Sequence, residues 1–255
     1  MNNFLVDLIK LYESNDYVVQ SSLSPLHFPG FNHAQLPFSY IYQNGELVCR
    51  GGGLAISELM FIDSIASIME PKNIFIIGNS FGWTTLALGL MCPTSRIVAI
   101  DICSRPEEEF GIKETNRMGE QISAEIRAIK AKSPENVTSV ITNNFEGGID
   151  LVLIDGGHTP QQQTDDFLVC QKLANEQCVY LFHDVINFSL VKSFVTIAAE
   201  NTHLISSLLF RTPSGMGISY PKEFHESLSD TVNAFTESDE RVKSLHSEGR
   251  KIRGI

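Results

Sequence analysis

The sequence predicts an α/β protein built on a mostly parallel sheet with helices on both faces. Short runs dense in Val, Ile and Leu recur along the chain from residue 73, and turn residues bound each of them. Helical patterns separate these runs, and continuous apolar strands that alternate with helices are typical of a parallel sheet buried on both sides. In addition, the first run ends in a glycine turn that passes directly into a helix.

Five apolar runs are the predicted strands: NIFIIG (73–78), SRIVAID (95–101), VTSVIT (137–142), IDLVLID (149–155) and CVYLFHD (178–184). Helices are predicted between them over 83–91, 113–132 and 160–175. Further on, HLISSLLFRTPSGMGISY (203–220) contains two strand-like runs joined by a turn, which predicts an antiparallel hairpin.

The segments that flank the sheet have a different character. An amphipathic helix opens the chain, and an irregular arm rich in proline and aromatic residues follows, which we expect to act as a lid. The arm contains a turn pair, Asn44-Gly45, that predicts a short hairpin. A second helix is predicted over 55–69. We therefore divide the chain into an N-terminal helix and arm (1–54), a central core (55–220) and C-terminal surface helices (221–255).

Composition limits the classes of function. The formal charge of −11 argues against nucleic acid, whose phosphates require many cations. No run of 18 apolar residues is present, so we expect no membrane partner. The five cysteines are odd in number and form no C-x-x-C pair, which indicates reduced thiols in a cytoplasmic protein.

The turn after the first strand, GNSFGW (78–83), predicts a nucleoside site. Gly78 permits a sharp turn, Gly82 lets the backbone approach a ligand, and the helix that follows directs free N–H groups at a negative group. Asp101 ends the next strand, 23 residues after Gly78. A carboxylate at that position can accept hydrogen bonds from both hydroxyls of a ribose.

The spacing of the glycines indicates which nucleoside binds. Dinucleotide sites use G-x-G-x-x-G, whereas this turn is G-x-x-x-G with Ser80 in the middle. That pattern suits a smaller tail with a carboxylate and an ammonium, as in S-adenosylmethionine. A purely structural turn is the alternative, and for Phe81 and Trp83 packing is an equal alternative. The predicted cofactor contacts are Gly78, Asn79, Ser80, Phe81, Gly82, Trp83, Asp101, Ile102 and Asp155.

Two predicted strands end in carboxylates. Asp155 closes one strand and His158 follows three residues later, while Asp184 closes the next strand directly after His183. Paired strands lie about 5 Å apart, so Asp155 and Asp184 would face each other and either share a proton or hold a hard divalent cation such as Mg²⁺. His158 would act as a general base.

Each of these residues also has a plain structural interpretation. Asp184 could cap the following helix, and Asp155 could belong only to a turn. His158 could be an exposed loop residue, and His183 could be a structural hydrogen-bonding residue.

Taken together, these motifs resemble the class I S-adenosylmethionine-dependent methyltransferases. The similar stretches are FIIGNSFGWTTLALGL, IVAIDI, DLVLIDGGHTPQQQTDDF and YLFHDV, within residues 55–220, and the IDG-x-H and HD strand ends resemble a small-molecule subgroup. The resemblance implies a Rossmann-like doubly wound sheet of seven strands with a final antiparallel strand, for which GMGISY is suited. It also implies in-line methyl transfer, with Asp155, Asp184 and His158 at the positions of metal ligands and base.

The chain departs from the resemblance at two positions. Relatives that bind a divalent ion have a further ligand beside the second carboxylate, whereas His183 and Val185 flank Asp184 here. Many members have an acidic residue two positions before the first glycine, where this chain has Ile76. A group from the segment 51–58 would then meet the ammonium of the cofactor.

The resemblance also supplies an expected adenine contact. Asn143 and Asn144 follow the predicted strand VTSVIT, and the corresponding loop of relatives contacts the adenine.

The sequence therefore predicts an S-adenosylmethionine-dependent methyltransferase that acts on a small molecule. A hydroxyl oxygen is the methylation site that the motifs favour. An NAD-dependent oxidoreductase and a non-catalytic nucleoside-binding relative are the alternatives. The aromatic arm at 25–50 suggests an apolar or aromatic acceptor, and family analogy suggests a homodimer.

Overall fold

The computed structural model describes residues 3–21 and 39–253. Its helices are α1 (Phe4–Glu13), α2 (Ile56–Met69), α3 (Trp83–Met91), α4 (Pro106–Gly119), α5 (Val137–Asn144), α6 (Pro160–Gln171), α7 (Val191–Glu200), α8 (His225–Phe235) and α9 (Asp239–Arg253). Its strands are β1 (Tyr17–Ser21), β2 (Ser39–Gln43), β3 (Glu46–Gly52), β4 (Asn73–Ile77), β5 (Arg96–Asp101), β6 (Glu125–Lys130), β7 (Ile149–Ile154), β8 (Ala174–Phe182), β9 (Leu204–Leu209) and β10 (Met216–Pro221). Most of the predicted lid, over 22–38, lies outside the described residues.

Seven strands form one sheet in the order β6-β5-β4-β7-β8-β10-β9. β4 pairs in parallel with β5 and with β7, β5 with β6, and β7 with β8. β10 runs antiparallel to both β8 and β9. The predicted doubly wound, mostly parallel sheet with a final antiparallel strand is therefore confirmed. Strand order reverses between β4 and β7, which opens a crevice at their carboxyl ends.

The strands are apolar along their length because both faces of the sheet are buried. In β4, Ile74 and Ile76 belong to one apolar cluster, and Phe75 and Ile77 belong to the other. Residues of α1, α2, α3 and α8 cover the first cluster, and residues of α5, α6 and α7 cover the second. Since successive strand residues point to opposite faces, a continuous apolar run produces three layers.

The sequence prediction is wrong in the stretch between α4 and β7. The helix expected over 113–132 ends early, and its last part is the strand β6, whose sequence EIRAIK alternates charged and apolar residues. β6 is an edge strand, so it lacks the apolar continuity of the central strands. VTSVIT, expected to be a strand, forms most of α5, because Val137, Val140 and Ile141 have helical spacing and are buried.

The two predicted hairpins are confirmed. β2 and β3 pair in antiparallel around Asn44 and Gly45, which have φ values of 51° and 80° and so adopt the left-handed conformation of a tight turn. β9 and β10 form the second hairpin, and the helices α8 and α9 follow it.

The N-terminal segment is joined to the start of α3 by hydrogen bonds. β1, β2 and β3 form a separate three-stranded antiparallel sheet. Tyr12 Oη donates to the carbonyl oxygen of Phe81 at 2.9 Å, and Trp83 Nε1 donates to the carbonyl oxygen of Leu54 at 2.9 Å. These bonds connect residues far apart in sequence, and they hold the end of β3 beside the first turn of the large sheet.

Three further expectations concern membrane spans, the cysteines and the domain boundaries. Within residues 3–21 and 39–253, no helix combines the length and apolar character needed to cross a membrane. All five cysteines are free thiols. The division at residues 54 and 220 stays a prediction.

We predict that Gly78→Ala destabilises the fold. Gly78 has φ of 104°, and a Cβ at this position would stand 2.1 Å from the carbonyl oxygen of Asp155. The substitution combines backbone strain with a clash against backbone, so we expect a loss of about 2–4 kcal/mol in the free energy of unfolding, measured by urea denaturation.

Gly147→Ala is the matched control for this change. Gly147 has φ of 115°, and a Cβ there would meet nothing within 4 Å. Its loss should be limited to backbone strain, about 1 kcal/mol. Equal losses in the two variants would contradict the close approach of Gly78 to Asp155.

Candidate active site

A cavity of about 560 Å³ opens at the carboxyl ends of the parallel strands. Its wall is formed by the loops after β4 (78–80), β5 (101–102), β6 (131–133), β7 (155–158) and β8 (183–184), together with Gly52, Gly53, Gln162, Asp166 and Phe188. These loops meet because parallel strands end at the same edge of the sheet. The cavity therefore lies where strand order reverses, as expected for a ligand site of an open α/β sheet.

The turn after β4 is held by backbone contacts with both neighbouring strands. The N–H of Gly78 donates to the carbonyl oxygen of Ile100 at 2.8 Å, and the N–H of Asp155 donates to the carbonyl oxygen of Ile77 at 2.8 Å. Only a residue without a side chain fits between these strand ends, as the Cβ distance above shows. Gly78 thus fixes the floor of the cavity and the position of Asp155.

Asp101 binds the same turn through its carboxylate. Oδ2 accepts hydrogen bonds from the N–H groups of Asn79 at 3.0 Å and Ser80 at 2.8 Å. Oδ1 accepts from the N–H of Cys103 at 2.8 Å. A carboxylate oxygen has capacity for a further donor, so Asp101 can hold the turn and still accept from a ligand hydroxyl. Gly78, Asn79, Ser80, Asp101 and Ile102 all line the cavity, as do Asp155, His158 and Asp184.

Three of the predicted cofactor residues face away from the cavity. Phe81 and Trp83 are 2% exposed and pack in the apolar cluster that includes Tyr12. Gly82 has φ of 82°, and a Cβ on it would stand 2.2 Å from Thr115 Oγ1 of α4. The second glycine of the turn therefore permits close packing of α3 against α4, and this corrects the expectation that it lets the backbone approach a ligand.

Asn143 and Asn144 lie at the opposite edge of the sheet. They end α5, and the carbonyl oxygen of Asn144 accepts from Arg96 Nη1 at 2.8 Å. Arg96 begins β5, so this contact is at the amino end of the strands, away from the cavity. The expected adenine contact is corrected accordingly, because the strand that precedes the third loop of the cavity is β6 and not VTSVIT.

Asp155, His158 and Asp184 come together at one end of the cavity. His158 Nε2 lies 3.6 Å from Asp184 Oδ2. The His158 ring stacks on Phe188, with ring centroids 4.0 Å apart and an interplanar angle of 24°. The His158 side chain is 33% exposed and that of Asp184 only 2%. The imidazole is therefore accessible to a ligand, whereas the carboxylate beside it is buried.

His183 lies beneath this cluster and is fully enclosed. Its Nδ1 is 2.9 Å from Asp155 Oδ1, and its Nε2 is 3.1 Å from Glu58 Oε2. Glu58 itself is completely buried in the first turn of α2, where it also accepts from the N–H of Ala55 at 2.9 Å and from the N–H of Ser214 at 3.0 Å. The structural interpretation of His183 agrees with these contacts, since neither ring nitrogen is available to a ligand.

The charges around His183 set the pKa values of the cluster. Burial alone would lower the pKa of His183, but the carboxylates of Asp155 and Glu58 raise it well above its ordinary value. Burial opposes ionisation of Glu58 and Asp184 too, yet His183 holds the pKa of both below the ordinary range. Burial raises the pKa of Asp155, and Asp184 adds to the rise. One imidazolium therefore does not balance three carboxylates.

The donor set facing the cavity fits a divalent cation. Asp155, His158 and Asp184 each offer one ligand atom, and these atoms lie within 4.8 Å of one another. Two carboxylate oxygens and an imidazole nitrogen are ligands that divalent metal ions accept. The raised pKa of Asp155 agrees with such a site, because a cation would favour its charged form.

The loops around the cavity hold non-glycine residues in the left-handed backbone region. Ser80, Cys103 and Asp184, which follow β4, β5 and β8, have φ values of 46°, 53° and 56°. Each such residue costs on the order of 1 kcal/mol, and this kind of strain clusters at functional sites. The backbone is thus strained at three strand ends around the same cavity.

Sequence reasoning missed several residues of this cavity. Glu58 carries no motif, and only the fold brings it to His183. Gln162 and Asp166 lie on α6 within the quoted DLVLIDGGHTPQQQTDDF stretch, but helical spacing alone did not indicate that they face the cavity. From the segment 51–58, which is expected to meet the ammonium, Gly52 and Gly53 line the cavity, whereas Glu58 is turned inward and bonds to His183.

Comparison with known proteins agrees with this geometry. Residues 75–185 match the model of a family described as a methyltransferase domain. No curated protein gives a significant match.

Solved methyltransferases have the same fold. One is an O-methyltransferase from Bacillus cereus in complex with S-adenosylhomocysteine, at 15% identity and a TM-score of 0.53, covering 66% of this chain and 82% of that one. A second is TomG, an O-methyltransferase from Streptomyces achromogenes involved in tomaymycin synthesis, in complex with S-adenosylmethionine, at 13% identity and a TM-score of 0.56, covering 87% and 90%. A third is the S-adenosylhomocysteine-bound PaMTH1 from Podospora anserina, at 16% identity and a TM-score of 0.53, covering 65% and 78%.

The sheet topology is that of an open, doubly wound α/β fold, and the cavity lies at the carboxyl ends of its parallel strands. Over residues 75–185 the chain is therefore similar to a methyltransferase domain, and its fold is that of the solved S-adenosylmethionine-dependent methyltransferases. These comparisons favour the predicted methyltransferase over the alternative of an NAD-dependent oxidoreductase.

We predict that Glu58→Gln strongly destabilises the protein. The amide would turn a donor toward His183, Ala55 or Ser214, and breaking a buried ion pair costs about 3–5 kcal/mol in the free energy of unfolding. Urea denaturation measures the loss, with Glu120→Gln on the exposed end of α4 as control.

The loss should depend on pH with a definite sign. Glu58 has a lowered pKa, so its contribution to the free energy of unfolding is complete above the ordinary glutamate pKa of 4.5. That contribution is lost as the pH falls through the lowered pKa. His183 has a raised pKa, so its contribution to the free energy of unfolding is complete below the ordinary histidine pKa of 6.5. That contribution is lost as the pH rises through the raised pKa. The difference between wild type and variant should be largest between these values. A pH-independent difference would contradict the ion pair.

Proposed function

We propose that the methyl acceptor is a small molecule with a hydroxyl group, and that His158 is the base that accepts its proton. The observation that carries this proposal is the position of His158: its imidazole is open to the cavity, stacked on Phe188 and backed by the Asp184 carboxylate. Such an arrangement is suited to general-base chemistry at an oxygen nucleophile.

The cofactor would lie across the turn after β4. Asp101 would accept from the ribose hydroxyls while it keeps its bonds to Asn79 and Ser80. The amino-acid tail would extend toward Thr84 in the first turn of α3, where helix N–H groups favour a carboxylate. Gly52 and Gly53, which line the same cavity, are the residues of the predicted segment that would meet its ammonium.

The reaction would be an in-line displacement at the methyl carbon. When bound, S-adenosylmethionine would supply the methyl group: the acceptor oxygen would bond to the methyl carbon as the carbon–sulfur bond breaks, and S-adenosylhomocysteine would leave neutral at sulfur. The His158 imidazole would take the hydroxyl proton, and Asp184 Oδ2, 3.6 Å from His158 Nε2, would stabilise the resulting imidazolium. The enzyme contributes mainly by orienting the two reactants and by removing the proton.

The rim beside His158 suits an apolar acceptor. Phe188 is 44% exposed and Ile186 is 37% exposed, both in the loop after β8. Exposed apolar groups at the mouth of a polar cavity are typical of ligand sites. This supports the expected apolar or aromatic acceptor.

If a divalent cation is bound, Asp155, Asp184 and His158 are the residues that would hold it, and it would polarise the acceptor oxygen. A neutral imidazole has one acceptor nitrogen. His158 therefore cannot ligate a cation and act as base through the same atom. Metal dependence decides between these two roles.

We also propose that the protein acts in the cytoplasm as a homodimer and binds no nucleic acid. The charge of −11 and the five free thiols support the first and last of these statements.

We predict that His158→Ala lowers kcat by about 10²- to 10⁴-fold, because the general base is lost. Formation of S-adenosylhomocysteine with a panel of small hydroxyl compounds is the measurement. Affinity for S-adenosylhomocysteine should stay close to that of the wild type.

His203→Ala is the matched control, since His203 is an exposed histidine far along the chain from the site. Unchanged turnover in His158→Ala would remove His158 from the mechanism. Absence of S-adenosylhomocysteine binding in calorimetry would overturn the proposed cofactor site.

Removal of divalent ions tests the metal. If Asp155, His158 and Asp184 hold a required cation, EDTA should abolish turnover and Mg²⁺ or Mn²⁺ should restore it. Full activity in EDTA would assign His158 to proton transfer alone.

A further inference from the structure

We propose that Phe188 is a positioning residue, whose ring holds the His158 imidazole in the orientation that proton removal from the acceptor requires. The inference rests on the proposed role of His158 as the base. It adds a residue of the loop after β8 that acts on the reaction through His158, besides the apolar surface that the same residue offers at the rim of the cavity.

The His158 imidazole lacks the hydrogen bond by which a third group usually orients a base. His158 Nε2 lies 3.6 Å from Asp184 Oδ2, whereas an N–H···O bond spans about 2.7–3.2 Å. Within residues 3–21 and 39–253, no hydrogen bond holds either nitrogen of this ring. The attraction between the two groups therefore draws the imidazole toward the carboxylate without fixing its plane, and the outer torsion of a histidine side chain is a broad one.

The stack on Phe188 supplies the missing constraint. The centroids of the two rings are 4.0 Å apart, and their planes are tilted by only 24°. Because the rings are nearly parallel, a rotation of the imidazole about its own bond would drive its edge into the phenyl ring. The His158 side chain nevertheless stays 33% exposed. The stack thus covers one part of the imidazole and leaves the rest accessible to an acceptor.

The loop that carries Phe188 is itself held by hydrogen bonds. Inside the loop, the N–H of Phe188 donates to the carbonyl oxygen of Asp184 at 3.1 Å. From outside, the loop before β10 holds it, because the N–H of Ile186 donates to the carbonyl oxygen of Gly215 at 3.2 Å. The two loops approach so closely that a Cβ on Gly215 would stand 2.4 Å from the Cβ of Ile186. Phe188 therefore projects from a backbone that two loops fix together.

The constraint on His158 should affect the rate more than the binding of the acceptor. A base must lie within about 2.6–3.2 Å of the oxygen whose proton it takes, and a misplacement of about 1 Å can lower a rate by about 10²-fold. An imidazole without the stack would occupy the reactive geometry for less of the time. Leucine in place of Phe188 keeps an apolar surface for the acceptor but removes the flat ring, so kcat should fall while KM stays close to the wild-type value.

Steady-state kinetics of matched variants tests this expectation. The assay follows S-adenosylhomocysteine formation with the hydroxyl compound of the panel that the wild type methylates fastest. Phe188→Leu should lower kcat by about 10- to 10²-fold, and Phe188→Tyr, which restores a flat ring, should return kcat to the wild-type value. Phe110→Leu is the control, because it makes the same change at a phenylalanine of similar exposure, 41% against 44%, on α4. It should keep the wild-type kcat.

Proton NMR reads the position of the imidazole without an acceptor. A phenyl ring stacked on the imidazole moves the signals of its carbon-bound protons to lower chemical shift, and the His158 signals are identified by their loss in His158→Ala. The displacement should be present in the wild type and in Phe188→Tyr and absent in Phe188→Leu. The same His158 signals in the wild type and in a folded Phe188→Leu would overturn the inference.

The kinetic outcomes distinguish this inference from the proposed function. An unchanged kcat in Phe188→Leu, or a rise in KM alone, would make Phe188 an acceptor contact only and would overturn its positioning role, while His158 could still be the base. A rate that Phe188→Tyr does not restore would overturn the role as well. If the wild type methylates no compound of the panel, the hydroxyl acceptor is overturned, and this inference with it.

Discussion

The close approach of β4 and β7 at their carboxyl ends is the contact on which the site depends. Gly78 lies so near the carbonyl oxygen of Asp155 that no side chain fits between them. That contact fixes the turn in which Asn79 and Ser80 present their N–H groups to Asp101. It also fixes where Asp155 enters the cavity. One backbone contact therefore positions both the turn proposed to hold the cofactor and the carboxylate of Asp155.

The second constraint is the buried ion pair beneath Asp155, His158 and Asp184. His183 is enclosed between Glu58 and Asp155, so the orientation of the Asp155 carboxylate is set from below and not by solvent. Buried charges of this kind are rarely the best way to stabilise a fold, since desolvation opposes their attraction. Here they link the start of α2, the loop before β10 and two strand ends, and so they hold Asp155 and Asp184 in one arrangement.

Much of the fold could be predicted from the sequence because the signals are local. The continuous apolar runs of β4, β5, β7 and β8 require burial on both faces, and the hairpin turn at Asn44-Gly45 follows from its own backbone preferences. The errors are local too. β6 lies at the edge of the sheet and keeps charged residues, and the helix α5 is short and rich in β-branched residues that favour strands in isolation.

For the site, the sequence by itself determined the glycine turn, Asp101 and the strand-end groups Asp155, His158 and Asp184, because a parallel sheet brings its strand ends to one edge. Only the tertiary structure decided that Gly82 packs against Thr115, that Asn143 and Asn144 lie at the far edge, and that Glu58 and Asp166 reach the site. The physical reason is distance along the chain. Periodicity and turn chemistry describe a residue and its near neighbours, whereas these contacts join side chains from separate elements that meet only when the layers pack.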